Sequence, residues 1–127
     1  MNESGDQAPM ALWNGVLRFG LELAALAGVV VGGWFLASRP LRWILSPGLG
    51  LVAAFAWGRY RVPNDPGPAP VPVPGRTRLV IEAVVLIGGG LGWLAGGRPG
   101  VAVTYAAALL FHYLTSMDRV RWLLRHS

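Results

Sequence analysis

The sequence has no cysteine, so it can form no disulfide, thiolate nucleophile or cysteine-based metal site. It has no lysine either; all eleven basic residues are arginine. Acids are scarcer still, with six Asp and Glu in all. Charged residues make up 13% of the 127 positions, against ~25% in ordinary soluble domains. A soluble fold this small has too much surface to cover with so few charges. The opening stretch MNESGDQAPM carries Glu3 and Asp6 but no basic residue. That is the wrong start for a signal peptide, and the apolar run behind it is too long for one, so no cleavage is expected.

What is abundant is apolar surface, at 54% of residues. Four apolar segments stand out, at about Leu17–Ala37, Leu41–Trp57, Leu79–Ala95 and Val101–Met117. A bilayer core of ~30 Å needs roughly 20 helical residues, with ~17 as the lower limit. The first segment meets this comfortably. The others are short, and the second contains Ser46-Pro47-Gly48. Four such segments cannot all be buried inside one small soluble domain. The expected fold is an all-α membrane protein, a bundle of four transmembrane helices. Ser38-Arg39-Pro40 and Gly96-Gly97-Arg98-Pro99 read as tight turns, which makes hairpins of 17–58 and 78–117. Residues 1–16 read as a tail, 59–77 as a Pro-rich, extended strap with no core of its own, and 118–127 as a basic tail.

The arginines orient the bundle. With four spans, both termini and the strap share a side, which holds Arg18, Arg59, Arg61, Arg76, Arg78, Arg119, Arg121 and Arg125. Arg39, Arg42 and Arg98 fall opposite. Positive charge stays inside, so the termini are expected in the cytoplasm of a bacterial inner membrane. A pI near 11.1 invites a nucleic-acid reading. These arginines flank apolar runs instead of forming a stripe, so the bilayer is the expected partner and nucleic acid is not.

The two hairpins resemble each other. RFGLELAALAG from Arg18 matches RLVIEAVVLIG from Arg78, pairing Glu22 with Glu82, Gly28 with Gly88 and Gly32 with Gly92. Arg39-Pro40 then matches Arg98-Pro99. Hairpins entering from one side form a parallel repeat about an axis along the membrane normal. LRFGLELAAL, WGRYRVP and RLVIEA also resemble the YrdB-like family of small bacterial membrane proteins, over roughly Leu12 to Arg125. That resemblance implies a membrane bundle and a domain of unknown function, with no catalytic residues to carry over.

Glu22 and Glu82 are the carboxylates inside apolar segments, each four residues after an arginine, hence on its helix face. Each arginine could screen its own glutamate; alternatively the repeat brings Arg18 to Glu82 and Arg78 to Glu22. His112 falls at an estimated depth close to theirs, on a face shared with Thr104, Ala108 and Ser116. Glu22, Glu82 and His112 are candidate acid–base groups. With Arg18, Arg78 and Trp57 they form a candidate ligand-binding layer. A histidine hydrogen-bonded to a neighbouring helix is the plainer reading of His112. No HExxH or ExxH spacing supports a metal, and no cofactor is expected. Small residues spaced by four, Gly28 and Gly32 and again Ser46, Gly50 and Ala54, suit close helix contacts or a homo-oligomer. Gly88-Gly89-Gly90 is no phosphate loop, lacking the lysine and the strand–helix setting. Trp13, Trp34, Trp43, Trp57, Tyr60, Trp93 and Trp122 lie near segment ends, as an interfacial belt would.

Three functions fit these residues. One is a bundle that binds a lipid, a small hydrophobic molecule or a membrane partner. Another is a small or proton-coupled transporter. The third is an enzyme of isomerase or cyclase type, doing acid–base chemistry on a lipophilic substrate. A solid core, a through-path or a blind pocket at the polar layer separates them.

Overall fold

The computed structural model describes residues 10–62 and 69–126. The chain forms five helices and one short strand pair among those residues: α1 (Leu12–Leu36), α2 (Arg42–Arg59), β1 (Tyr60–Arg61), β2 (Val71–Pro72), α3 (Gly75–Ala95), α4 (Pro99–Thr115) and α5 (Met117–Arg125). Glu3, Asp6, Asp65 and Ser127 lie outside the described residues, as does the middle of the strap.

The helices α1 and α3 are long and apolar enough to cross a membrane. The pair α4 and α5, bent by 65° at its break, makes a third candidate when taken as one span. The exterior suits such a medium. Leu12, Phe19, Leu23, Ile44, Leu51, Val84 and Leu110 are all exposed, while Asn14, Arg18, Arg78, Glu82, His112 and Arg119 are buried. Apolar outside and charged inside is the distribution that lipid imposes, because hydrocarbon offers polar groups no partner.

At the centre α1 packs on α3. Buried positions on α1 run Asn14, Arg18, Leu21, Ala25, Gly28, Gly32, and on α3 Gly75, Arg78, Glu82, Val85, Gly89, Gly92. Both follow the alternating three–four spacing of a helix that buries one stripe. Contacts advance in the same sense along both helices, from Arg18 beside Glu82 to Gly32 beside Gly92, so the two run parallel. Their backbones touch where side chains are smallest. A Cβ on Gly92 would lie 1.9 Å from the Gly28 carbonyl oxygen, and one on Gly89 would lie 2.5 Å from the Ala25 Cα. Such approach is open only to glycine, and it replaces the hydrophobic drive that lipid does not supply.

The flanking helices run antiparallel to their neighbours. Ser46 on α2 donates to the Val30 carbonyl at 2.6 Å. The segment does not break at Ser46-Pro47-Gly48, for α2 continues through Pro47. On α4, Tyr105 donates to the Leu86 carbonyl at 2.6 Å. Pro99 sits in the first turn of α4, where a missing N–H costs nothing. Gly97, at φ +73°, makes the left-handed turn that ends α3.

Four expectations change in detail. Helix α1 starts at Leu12, inside the stretch read as a tail, and the basic tail is largely the helix α5. The strap does contribute to a core: Val62 and Val73 pack with Leu79, Trp122 and Leu123 under α5. Thr104 and Ala54 are exposed, and the inner face of α4 turns to Tyr105 instead. Not all the tryptophans form a belt. Trp122 is buried, and Trp93 donates to the Ala24 carbonyl at 2.9 Å, because an indole N–H away from water needs an acceptor.

Candidate functional site

Glu82 is the hub of the polar layer. Its side chain is 1% exposed, and three arginines from three helices meet it. Arg18 on α1 approaches at 3.1 Å, Arg78 one turn back on α3 at 3.4 Å, and Arg119 on α5 at 2.6 Å. Tyr113 on α4 donates its hydroxyl to the same carboxylate at 2.5 Å. Parallel packing of α1 on α3 brings Arg18 level with Glu82, one of the two pairings the sequence left open. Glu22 differs from its repeat partner. It pairs with Arg18 at 3.2 Å within one helix face, and 27% of its side chain stays exposed.

His112 is fully buried beside this cluster. Its Nε2 lies 3.3 Å from Arg18 Nη1, and its Nδ1 lies 2.5 Å from Asn14 Oδ1. Arginine only donates, so Nε2 accepts and the ring proton sits on Nδ1, donated to Asn14. Asn14 in turn donates to Thr115 at 3.0 Å. The imidazole is thus bound to α1 through both nitrogens.

Trp57, near the end of α2, lies against two guanidiniums. Its ring centre is 4.8 Å from Arg18 and 4.4 Å from Arg78. Arg78 also donates to the carbonyls of Trp57 at 2.6 Å and Tyr60 at 2.8 Å, covering acceptors that the end of α2 leaves without helical donors. Beside the cluster opens a cavity of about 310 Å³, lined by Arg18, Glu22, Trp57, Arg61, Arg78 and Arg119 together with Met10, Gly15 and Gly58.

Of the residues singled out in the sequence, Arg18, Glu22, Arg78 and Trp57 wall this cavity, while Glu82 and His112 stand behind the wall. Arg119, Asn14, Tyr113 and Arg61 were not singled out as site residues. Asn14 had a signal: the buried stripe of α1, traced back from Ala25 in steps of four and three through Leu21 and Arg18, reaches Asn14 one further step of four away. Arg119 had none, lying in a short polar stretch with two other arginines, Arg121 and Arg125. No group of three or more His, Asp or Glu side chains able to hold a metal occurs among the described residues.

The comparisons place the chain. Residues 16–110 match the family described as a protein of unknown function, DUF2568. The chain belongs to that family. It is also 31% identical over 114 residues to the uncharacterized protein YrdB of Bacillus subtilis, covering 87% of this chain and 93% of that one. The matched region of this YrdB-like chain runs from the start of the Arg-Glu motif of α1 into α4, and so includes Arg18, Glu22, Trp57, Arg78 and Glu82. No solved structure matches it.

Proposed function

We propose that this chain is a four-span protein of the bacterial cytoplasmic membrane that binds a lipid or other lipophilic small molecule at its Arg/Glu/His layer. The observation that carries the binding reading is the cavity of about 310 Å³ at the layer, with Glu22 and Trp57 in its wall. Below it Ala25, Gly28, Gly89 and Gly92 meet backbone to backbone. Such contact favours a blind pocket over a transport path. The acid–base reading is left with Glu22, since Glu82 is held by three arginines and His112 by Asn14 and Arg18.

Two further helices complete the four spans in this reading. At 18 and 17 residues, α2 and α4 would extend ~25–27 Å, near the lower limit for a bilayer core. Hairpins at 17–58 and 78–117 related by a parallel repeat are supported by the shared direction of α1 and α3. The cytoplasmic placement of both termini and the 59–77 loop rests on the eight-to-three arginine bias. It is supported by the gathering of Arg18, Arg61, Arg78 and Arg119 at one end of the bundle. Reporter fusions within Asp65–Pro74 and after Ser127 should both report cytoplasm; a periplasmic signal at either overturns the topology.

The binding reading is tested by filling the cavity. A Cβ on Gly58, which lines the cavity, meets nothing within 4 Å, so Gly58→Leu adds bulk to the lining without a backbone clash. Native mass spectrometry of the wild-type chain in mild detergent should show a co-purifying lipophilic molecule, reduced in Gly58→Leu. A ligand-free wild type, or equal occupancy in both, rejects the reading.

A further inference from the structure

We infer that the lipid-facing groove between α3 and α4 seats the chain of a polyprenyl phosphate, with the phosphate at Arg76. This site lies apart from the cavity at the Arg/Glu/His layer and goes beyond the reading given for it. Two apolar hollows, of about 500 and 300 Å³, follow one another along the crevice between the two helices. Ile87, Ala106 and Leu109 line both, so the hollows form one continuous groove. Small residues keep it open, Ala83 and Gly90 on α3 and Ala102 and Ala106 on α4. Two tyrosines line it without making it polar. Tyr113 donates its hydroxyl inward to Glu82, and Tyr105 donates to the Leu86 carbonyl. A ligand lying along the groove therefore meets hydrocarbon and ring surface.

Length narrows the choice of chain. On α3 the lining runs from Leu79 to Leu94, a rise of ~22 Å at ~1.5 Å per residue. One leaflet of a ~30 Å hydrocarbon core is ~15 Å deep. An ordinary acyl chain ends near the midplane, so filling the groove takes a single longer chain. The helix of a second copy, ~10 Å across, is too wide for it: spread over that length, the two hollows leave a cross-section under ~40 Å². Charge sets the head. The α3 stripe Leu94, Gly90, Ile87, Ala83, Leu79 reaches Arg76 after one more step of three. Arg76 is exposed and forms no ion pair with a described residue. The 65° bend between α4 and α5 brings Met117 and Val120 to this same end, where α5 crosses the start of α3 with Leu123 against Gly75. Arg121 also follows on α5, but Asp118 offsets it at 3.4 Å, so Arg76 is the cation that decides. At the other end the stripe stops at Leu94, and Arg98 lies past the left-handed Gly97 turn that ends α3. A guanidinium at one end of a long apolar groove suits a phosphate carried on one long chain.

The test is native mass spectrometry of the full chain in a neutral maltoside detergent, titrated with three probes. Undecaprenyl phosphate has the long chain and the charge, phosphatidylglycerol the charge alone, and menaquinone the long chain alone. Undecaprenyl phosphate should bind saturably, one molecule per chain, at least about tenfold tighter than either of the others. Ala106→Trp fills the waist of the groove from an exposed position, and Ala83→Leu narrows it from the facing helix. Each should weaken undecaprenyl phosphate at least about tenfold, and Ala83→Leu decides if the larger change prevents folding. Arg76→Gln should weaken it about tenfold, the loss of one charge-assisted hydrogen bond, and leave menaquinone unchanged. Gly58→Leu, in the separate cavity, should leave undecaprenyl phosphate binding intact. If phosphatidylglycerol binds as tightly, the long chain is overturned. If menaquinone binds as tightly, or Arg76→Gln changes nothing, the phosphate is overturned. Unchanged binding in the folded groove variants overturns the groove. Loss in Gly58→Leu alone moves the lipid to the cavity, which ends this inference and leaves the cavity reading standing.

Discussion

Arg119 and Glu82 form a two-point ion pair across 37 residues, Nη1 to Oε1 at 3.1 Å and Nη2 to Oε2 at 2.6 Å. The pair joins α5, the one helix with a strongly polar face, to the middle of the packed layer. It also makes Glu82 the point where α1, α3, α4 and α5 are tied, through Arg18, Arg78, Tyr113 and Arg119.

The two glutamates of the paired motifs should therefore respond unequally to neutralisation. Glu82→Gln leaves three arginines buried around an amide, and breaking a buried pair costs about 3–5 kcal/mol. Glu22→Gln removes a partly exposed partner of Arg18 and should cost less than about 1 kcal/mol. Thermal unfolding of both variants in the same detergent checks this. Equal losses would mean that burial of Glu82 is not what stabilises the layer.

Arg119 holds α5 against the bundle. Arg119→Gln should raise amide exchange along Met117–Arg125 at least tenfold, while the α1–α3 interface keeps its protection. Leu123 still contacts Gly75, and Trp122 remains in the small core with Val62, so the helix should loosen without departing. Hydrogen-exchange mass spectrometry reads both regions in one experiment. Uniform exchange throughout the chain would place Arg119 in global stability instead.

Neighbouring glycines on α3 should behave in opposite ways. A Cβ at Gly92 would lie 1.9 Å from the Gly28 oxygen, whereas one at Gly88 meets nothing within 4 Å. Gly92→Ala must push α1 and α3 apart and should cost more than the ~1–3 kcal/mol typical of overpacking. Gly88→Ala removes only backbone freedom and should stabilise the helix by up to about 1 kcal/mol. Unfolding midpoints of the two alanine variants decide the matter; similar midpoints would contradict the close contact.

Much of this was legible in the residue order. Arg-x-x-x-Glu at Arg18 and Arg78 marked the polar layer because charges inside apolar runs have few tolerable positions. Gly28 and Gly32 marked the close contact; Gly32 does meet its repeat mate Gly92, whereas Gly28 lies against Gly89 and Gly92 instead of its mate Gly88. Helix α5 was missed because nine residues rich in arginine carry little apolar length, and its fold depends on distant partners in Val62, Gly75 and Glu82. The inequality of Glu22 and Glu82 was hidden for a related reason. Similar motifs fix similar helix faces, but burial depends on what the other helices bring, and Arg119 and Tyr113 come to one glutamate.

The glycine seam between α1 and α3 has a consequence for assembly. It joins residues of the portion before the strap to residues of the portion after it, and so do Arg18 with Glu82 and Arg78 with the end of α2. The middle of the connection between the two portions is not needed for the seam or for the Arg18–Glu82 pair, which join α1 directly to α3. Helices that insert independently and then associate need proximity more than a peptide link. Two fragments divided within the strap, produced together, should find each other in the bilayer and restore the seam. In that sense the chain is a heterodimer whose subunits happen to be translated as one.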